Sequence, residues 1–409
     1  MVKERRYLLK TVAIAGTFDS KGQEFLYVKE MIEKQGVKTF TVHAGVFEPL
    51  FQPDVSNAFV AEAAGEDIEV LVNKKDRALA TEVLSKGMEK LIPELFGQGK
   101  FDGIISLGGS GGTSLVTPAM RALPIGIPKI MVSTVASGNT FQYVGTSDII
   151  MVPSVVDVSG LNSISKKIFA NAALAIAAMV NNGNVDTEID KPLIAATMFG
   201  VTTPCLDYAR AYLEDRGYEV LIFHATGTGG QTMEALIRAG FIQGVLDITT
   251  TEWCDEIVGG VLAAGPHRLE AAAEKGIPQV VSVGALDMVN FGSADTVPEE
   301  FKHRNLYRHN PTVTLMRTTV DENVKIGRMI AGKLNGAKGP TVVMIPLKGV
   351  SMIDAKGQPF YGKEEDEALF QVLRNELNHD TVELIELPLH INEREFAEAA
   401  ARKLLDIMK

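Results

Sequence analysis

Ile104-Ile105-Ser106-Leu107-Gly108-Gly109-Ser110-Gly111-Gly112-Thr113-Ser114 is the stretch on which the fold turns. A short apolar run, as expected of a buried strand, leads directly into four glycines and then into hydroxyl residues suited to the start of a helix. Glycine permits positive φ and close backbone approach, so several N–H groups can converge on one anion. A helix beginning there would add its positive end. The pattern is neither a Walker loop nor the Gly-x-Gly-x-x-Gly of dinucleotide folds, so alone it names no ligand. The plainer alternative is a tight strand-to-helix turn.

Working outward, short apolar runs alternate with helix-length amphipathic segments, as in parallel sheets covered by helices. Thr11 to Ala15 reads as a strand, Gln23 to Gln35 as a helix stopped by Gly36, and Lys38 to His43 as the next strand. Ala78 to Phe96 reads as a helix and Lys129 to Ser133 as a strand, while Asp54 to Lys75 has no clear pattern. A polar stretch from Asn181 to Pro192 reads as a linker, after which the pattern restarts with Leu193 to Met198, Cys205 to Arg216 and Glu219 to His224. Strand endings at His43-Ala44-Gly45 and His224-Ala225-Thr226 echo each other. So do Gly126-Ile127-Pro128 and Gly276-Ile277-Pro278, and Val156-Asp157 and Val320-Asp321 ahead of long helices. The expected fold is therefore α/β, with two Rossmann-like domains of mostly parallel sheets related by a degenerate internal repeat. Residues 1–183 form the N-terminal, nucleotide-binding domain and residues 190–409 the C-terminal one.

A chain of 409 residues agrees with two domains. Its net charge of −11 argues against an extended nucleic-acid surface but not against a nucleotide, which needs only local dipoles and a few cations. Two cysteines, Cys205 and Cys254, are too few for a disulfide scaffold or a structural zinc knuckle, so a reducing, cytoplasmic setting is expected. The start is charged and its apolar run too short for a signal core. Ile168 to Val180 is the longest apolar run; it falls short of a membrane span and reads as a helix apolar all round and buried, so no membrane role is expected.

Further loops carry candidate chemistry. Gly16-Thr17-Phe18-Asp19-Ser20-Lys21-Gly22 follows the first strand, at the sheet edge where ligands of open parallel sheets bind. Thr17 and Ser20 offer hydroxyls and Lys21 a charge for phosphate. Asp19 can serve a metal or a ribose, or else Asp19 or Ser20 merely caps the next helix. A third loop runs from Ser133 to Ser137-Gly138-Asn139-Thr140, and all three are expected to open on one edge. In the second domain, Thr226-Gly227-Thr228-Gly229-Gly230 precedes a helix and is expected to bind substrate through Thr228, Gly229 and Gly230. Glu252 is the carboxylate to test as a general base, with a helix cap as the equal alternative. His303 and Arg304, in the cationic stretch Phe301 to Asn310, are candidates for holding a carboxylate or phosphate, or form a solvated loop. Cys254 reads as a buried structural thiol. No His-Glu-x-x-His motif is present, and although Ser110 stands between glycines as in a Gly-x-Ser-x-Gly pattern, it has no identifiable partner for a catalytic triad.

Ala15 to Gly22, Gly108 to Thr113 and Ser137 to Thr140 together resemble an ATP-binding-domain family typified by the tomato mosaic virus resistance protein, with uncharacterised bacterial members. The resemblance extends over nearly the whole chain, including Thr226 to Gly230 and Gly284-Ala285-Leu286-Asp287. It implies two Rossmann-like domains, a homodimer, and ATP, with or without magnesium, in the first domain. There the glycines Gly16, Gly108, Gly109, Gly111, Gly112 and Gly138 would hold it with Thr17, Asp19, Ser20, Lys21, Ser110, Thr113, Ser137, Asn139 and Thr140. Some members continue into a barrel domain that lies beyond this sequence, which leaves room for a separate barrel-domain partner. Two functions follow as expectations: an ATP-binding protein, or a metabolic enzyme acting on a small anionic substrate in a cleft between the domains.

Overall fold

Val12 and Ile14 belong to one apolar core and Ala13 and Ala15 to another, the alternation of a strand buried on both faces. The computed structural model describes residues 10–183 and 191–409, so the charged start and the centre of the expected linker lie outside the described residues. Two compact units divide the chain between those segments.

The first unit comprises β1 (Thr11–Gly16), α1 (Gly22–Glu33), β2 (Lys38–His43), α2 (Asn57–Ala63), α3 (Ile68–Lys74), α4 (Arg77–Gly97), β3 (Gly103–Gly108), α5 (Ser110–Arg121), β4 (Lys129–Ser133), α6 (Phe141–Val144), β5 (Ile150–Pro153) and α7 (Ser163–Asn182). Its sheet has the order β2-β1-β3-β4-β5, with every pairing parallel. Ala13, Ile104 and Met131 pack under α2, α4 and α5, while Ile14, Ile105 and Val132 pack under α1 and α7. Each such isoleucine, valine or methionine side chain contributes roughly 1.5–3 kcal/mol when fully buried. The helix α7 is long and apolar enough to cross a membrane. It is not apolar-buried all round as expected: Phe169, Ala173 and Ile176 face the core, whereas Ile164 and Leu174 are exposed.

The second unit comprises β6 (Leu193–Met198), α8 (Thr203–Glu214), β7 (Glu219–His224), α9 (Thr228–Arg238), β8 (Gly244–Thr249), α10 (Glu252–Val258), α11 (Ala271–Lys275), β9 (Gln279–Gly284), β10 (Met288–Phe291), β11 (Leu306–Asn310), β12 (Val313–Arg317), α12 (Val320–Leu334), β13 (Thr341–Pro346), α13 (Lys363–Glu376), β14 (Val382–Leu387) and α14 (Arg394–Ile407). Its parallel sheet reads β7-β6-β8-β9-β13-β14, the order of the first sheet with one strand added. The repeat is thus a repeat of topology. Its last echo does not mark equivalent helices, because α7 packs on α1 whereas the helix on α8 is α14, not α12. The cationic stretch expected as a loop is partly strand: β11 joins β12 and β10 in a small antiparallel sheet.

Candidate functional site

In the order β2-β1-β3-β4-β5 the chain reverses direction across the sheet between β1 and β3. Connections leaving those two strands run to opposite faces, so a crevice opens beyond their carboxyl ends. The loops after β1 and β3 are the two glycine-rich loops singled out above. They line a cavity of about 830 Å³, within the roughly 300–1,000 Å³ typical of small-molecule sites.

Some helices of the unit carry a side-chain cap and others, including α2 and α6, do not. Asp76 caps α4 through the N–H groups of Ala78 and Leu79, and Asn162 and Ser165 form a capping box on α7. By contrast, α1 follows Lys21 and α5 follows Gly109 with no side-chain cap on either. The first-turn N–H groups of a helix have no intrahelical carbonyl, so those of Ser110, Gly111 and Gly112 remain available where Ser110, Gly111 and Gly112 line the cavity.

The loop after β1 is shaped by its own polar groups. Lys21 N–H bonds the Thr17 carbonyl, Ser20 Oγ donates to Thr17 Oγ1 at 3.0 Å, and the Lys21 ammonium bonds the Val158 carbonyl. Asp19 accepts the N–H of Ser20 at 2.7 Å and that of Phe47 at 3.0 Å. Fully buried His43 completes the arrangement. Its Nδ1 accepts from Phe18 N–H at 3.1 Å and Gly45 N–H at 3.3 Å, so the ring proton lies on Nε2 and is donated to the Phe47 carbonyl at 2.9 Å. The loops after β1 and β2 are therefore one hydrogen-bonded unit at the cavity wall.

Residues outside the expected set finish the cavity. Leu71 and Val72 of α3, Leu84 of α4 and Leu115 of α5 supply an apolar wall. Lys75 and Arg77, at the α3–α4 corner, supply charge, and Asp157 brings a carboxylate. Thr17, Asp19, Ser20, Lys21 and Gly109 to Gly112 line it as expected. Thr113 does not, because its buried hydroxyl pairs with Ser133 Oγ at 2.6 Å and ties α5 to β4. Ser137 to Thr140 stand at the same sheet edge but outside the lining, with Asn139 accepting from Phe141 N–H at the start of α6.

In the second unit the carboxylate of Glu252 is 1% exposed and engaged on both oxygens. Oε1 accepts from Gly227 N–H at 2.7 Å and Gly230 N–H at 3.1 Å, and Oε2 from Arg268 Nε at 2.7 Å. The glycine loop of this unit thus already encloses an anion from its own chain. Burial pushes the Glu252 carboxyl up, against the attraction of Arg268. Arg268 also grips Asp247 through Nη1 at 2.5 Å and Nη2 at 2.8 Å, with Glu234 at 3.6 Å. Arg304 is likewise committed: it holds Glu322 through two nitrogens at 3.0 and 2.8 Å, which overcomes burial and leaves the Glu322 carboxyl below its usual range. His303 is exposed. Cys254 is buried beneath the Leu286 carbonyl and its thiol is pushed up by burial, in keeping with a structural thiol.

A second buried cluster groups Asp287, Asp354 and Asp366 around Arg317. Arg317 Nη2 donates to Asp366 at 2.7 Å and Ser351 Oγ to Asp287 at 2.8 Å. One oxygen each of Asp287 and Asp354 has no donor. Burial, then the neighbouring charge of Asp354, pushes Asp287 up to about 7 and Asp366 up to about 8. Among the described residues, no group of three or more His, Cys, Asp or Glu side chains is arranged to hold a metal ion.

Comparison with known proteins agrees with this two-unit division. The N-terminal domain model of "Uncharacterised protein family (UPF0261)" matches residues 10–184, and the C-terminal domain model matches residues 191–408. A UPF0261 protein of Clostridium tetani is 57% identical over 401 residues, covering 98% of this chain and 99% of its own. One from Rhizobium meliloti is 46% identical over 400 residues, with 98% and 99% covered. The ToMV resistance protein Tm-1(GCR237) of Solanum lycopersicum is 43% identical over 416 residues, covering 96% of this chain and 55% of its own length.

Proposed function

The chain belongs to the UPF0261 family, and with that as premise we propose that its first unit binds a nucleotide, ATP in the first place, in the cavity between the loops after β1 and β3. One observation carries the reading. The uncapped start of α5, three cationic side chains and an apolar wall meet in one cavity at the point where the strand order reverses.

Each part has a task in this reading. The N–H groups of Ser110, Gly111 and Gly112 would receive phosphate oxygens, with Thr17 and Ser20 as hydroxyl donors. Lys75 and Arg77 would balance the phosphate charge, and Lys21 would add to it from its seat on the Val158 carbonyl. Leu71, Val72, Leu84 and Leu115 would take apolar surface of the base or sugar. Magnesium is bound chiefly by phosphates and water, with one or two carboxylates. Asp157 and Asp19 fit that modest demand, and the lack of a three-ligand cluster among the described residues does not oppose it.

The test is calorimetric titration of the protein with ATP and magnesium, repeated on Gly111→Ala. An added Cβ at Gly111 meets only Arg77 Nη2, at 3.4 Å, so the variant is expected to fold. Binding to the parent that is lost in Gly111→Ala supports the site. Equal binding to both places the nucleotide elsewhere, and no binding to the parent ends the proposal. An independent readout is stability, because ATP at a hundred times its Kd would stabilise the unit by about 2.7 kcal/mol.

A further inference from the structure

Phe47 is an aromatic residue that the fold holds fixed without burying. Its side chain is 66% exposed and lines the cavity. Its backbone is bound on both sides, the N–H to Asp19 at 3.0 Å and the carbonyl to His43 Nε2 at 2.9 Å. Three residues on, Leu50 N–H bonds the Phe18 carbonyl at 3.0 Å, and Pro49 stiffens the turn between them. The exposed ring is therefore presented by an ordered ribbon, and among the described residues no other aromatic ring stacks on it.

Backbone polar groups beside the ring are already used, while the neighbouring Glu48 carboxylate is exposed. The carbonyls of Gly45 and Val46 accept from Asn57 Nδ2 at 2.8 and 3.3 Å, and Gly45 N–H donates to His43. The ribbon thus offers an incoming molecule an aromatic face and few free groups able to read the edge of a base. Stacking on such a face tolerates base identity, because every base has a π-surface.

We infer that Phe47 is a stacking platform for the base of the bound nucleotide, so that the site selects nucleotides over bare polyphosphates but does not separate adenine from guanine. The inference rests on the nucleotide reading above and adds to it the source of selectivity. The phosphate-binding groups would hold a triphosphate with or without a base, and Phe47 would add affinity only where a base is attached.

The experiment titrates the parent protein, Phe47→Ala and Phe47→Trp with ATP, GTP and inorganic tripolyphosphate, each with equal magnesium. In the parent, ATP and GTP are expected to bind within a few-fold of each other. Phe47→Ala should weaken both about tenfold, equivalent to about 1.4 kcal/mol, and leave tripolyphosphate unchanged. Phe47→Trp should restore both, with nucleotide-dependent quenching of the new tryptophan; the chain's own Trp253 is buried. The platform is overturned if Phe47→Ala leaves nucleotide affinity intact or weakens tripolyphosphate to the same extent. A parent that prefers ATP to GTP by tenfold or more overturns the base-tolerant part. Failure of the parent to bind any of the three overturns the nucleotide reading and the platform with it. Circular dichroism and thermal unfolding confirm that the variants fold, and the exposed position of Phe47 makes that the expected result.

Discussion

The carboxylate of Asp19 accepts the backbone N–H of Phe47 at 3.0 Å, joining the loop after β1 to the loop after β2. Gly45 is what allows this approach, since a Cβ built there would stand 2.3–2.5 Å from the Asp19 carboxylate. Gly45→Ala must therefore displace Asp19 or the ribbon that carries Phe47. The expected result is a stability loss of about 1–3 kcal/mol, with ATP affinity falling about tenfold through the misplaced ribbon. Urea unfolding and calorimetry on the same preparation separate the two effects. Intact affinity in a destabilised variant would show that the link shapes the fold and not the site.

Arg77 opens α4 immediately after the Asp76 cap, and its guanidinium lies over the first turn of α5, 3.4 Å from where a Cβ on Gly111 would sit. That position suits a phosphate held by the α5 N–H groups. Arg77→Ala is expected to cost roughly 1.5–3 kcal/mol of ATP binding, the range for hydrogen bonds to charged groups, and to flatten the dependence of Kd on salt. Arg77→Lys keeps the charge but loses the planar fork, so it should recover only part. Titration across a range of ionic strength is the check. An unaltered salt dependence in Arg77→Ala would remove this residue from the site.

Much of this was legible locally. Lys38–His43, Lys129–Ser133, Leu193–Met198 and Glu219–His224 appear as strands with the bounds read from their apolar runs. The glycine loops after β1 and β3 stand at one cavity because strand-end loops and sheet order share a physical cause. What escaped depends on distant segments. Nothing near Lys75 and Arg77 signals that the α3–α4 corner returns over the loops. Glu252 looked free because its partner Arg268 belongs to no periodic pattern, and the two meet only in the folded unit. Thr113 reads as a loop hydroxyl until β4 brings Ser133 against it. Leu306–Asn310 hid as a strand because β11 lies at the edge of its sheet with Arg308, His309 and Asn310 exposed, which erases the apolar alternation.

Arg268 is 1% exposed and faces Asp247, Glu252 and Glu234, the last of which also has Arg238 at 3.7 Å. Arg268→Met would leave the buried carboxylates of Asp247 and Glu252 uncompensated, an effect of about 3–5 kcal/mol. Glu252→Gln is milder, because the amide oxygen can still accept from Gly227 and Gly230. If Glu252 acts only as the anchor of this loop, Glu252→Gln should lower stability modestly and leave ATP binding unchanged. Thermal unfolding with calorimetry decides, and a variant of full stability whose ATP affinity collapsed would give Glu252 a role beyond anchoring.

The cluster of Asp287, Asp354 and Asp366 sets the sign of a pH dependence. The charged and titratable groups facing it are Arg317 of β12, Asp287 after β9, Asp354 of the loop before α13, and Asp366 of α13, with Glu365 also close to Arg317 through Gly362. One guanidinium cannot balance two buried carboxylates and a third that is half-buried, so the folded protein retains protons there that the unfolded chain releases near pH 4. A carboxyl whose folded pKa is raised contributes stability that is fully present below the unfolded pKa and is lost as pH rises through the folded one. With Asp287 at about 7 and Asp366 at about 8 in the folded state, this contribution should fall between about pH 4 and 8 and then level off. The slope is about 1.4 kcal/mol per pH unit for each retained proton. Asp366→Asn supplies the amide in place of the protonated acid, so it should flatten the fall without abolishing it, because Asp287 still titrates. Urea unfolding of the parent and Asp366→Asn from pH 5 to 9 reads this directly, and identical slopes would mean that Asp366 is ionised in the folded protein throughout that range.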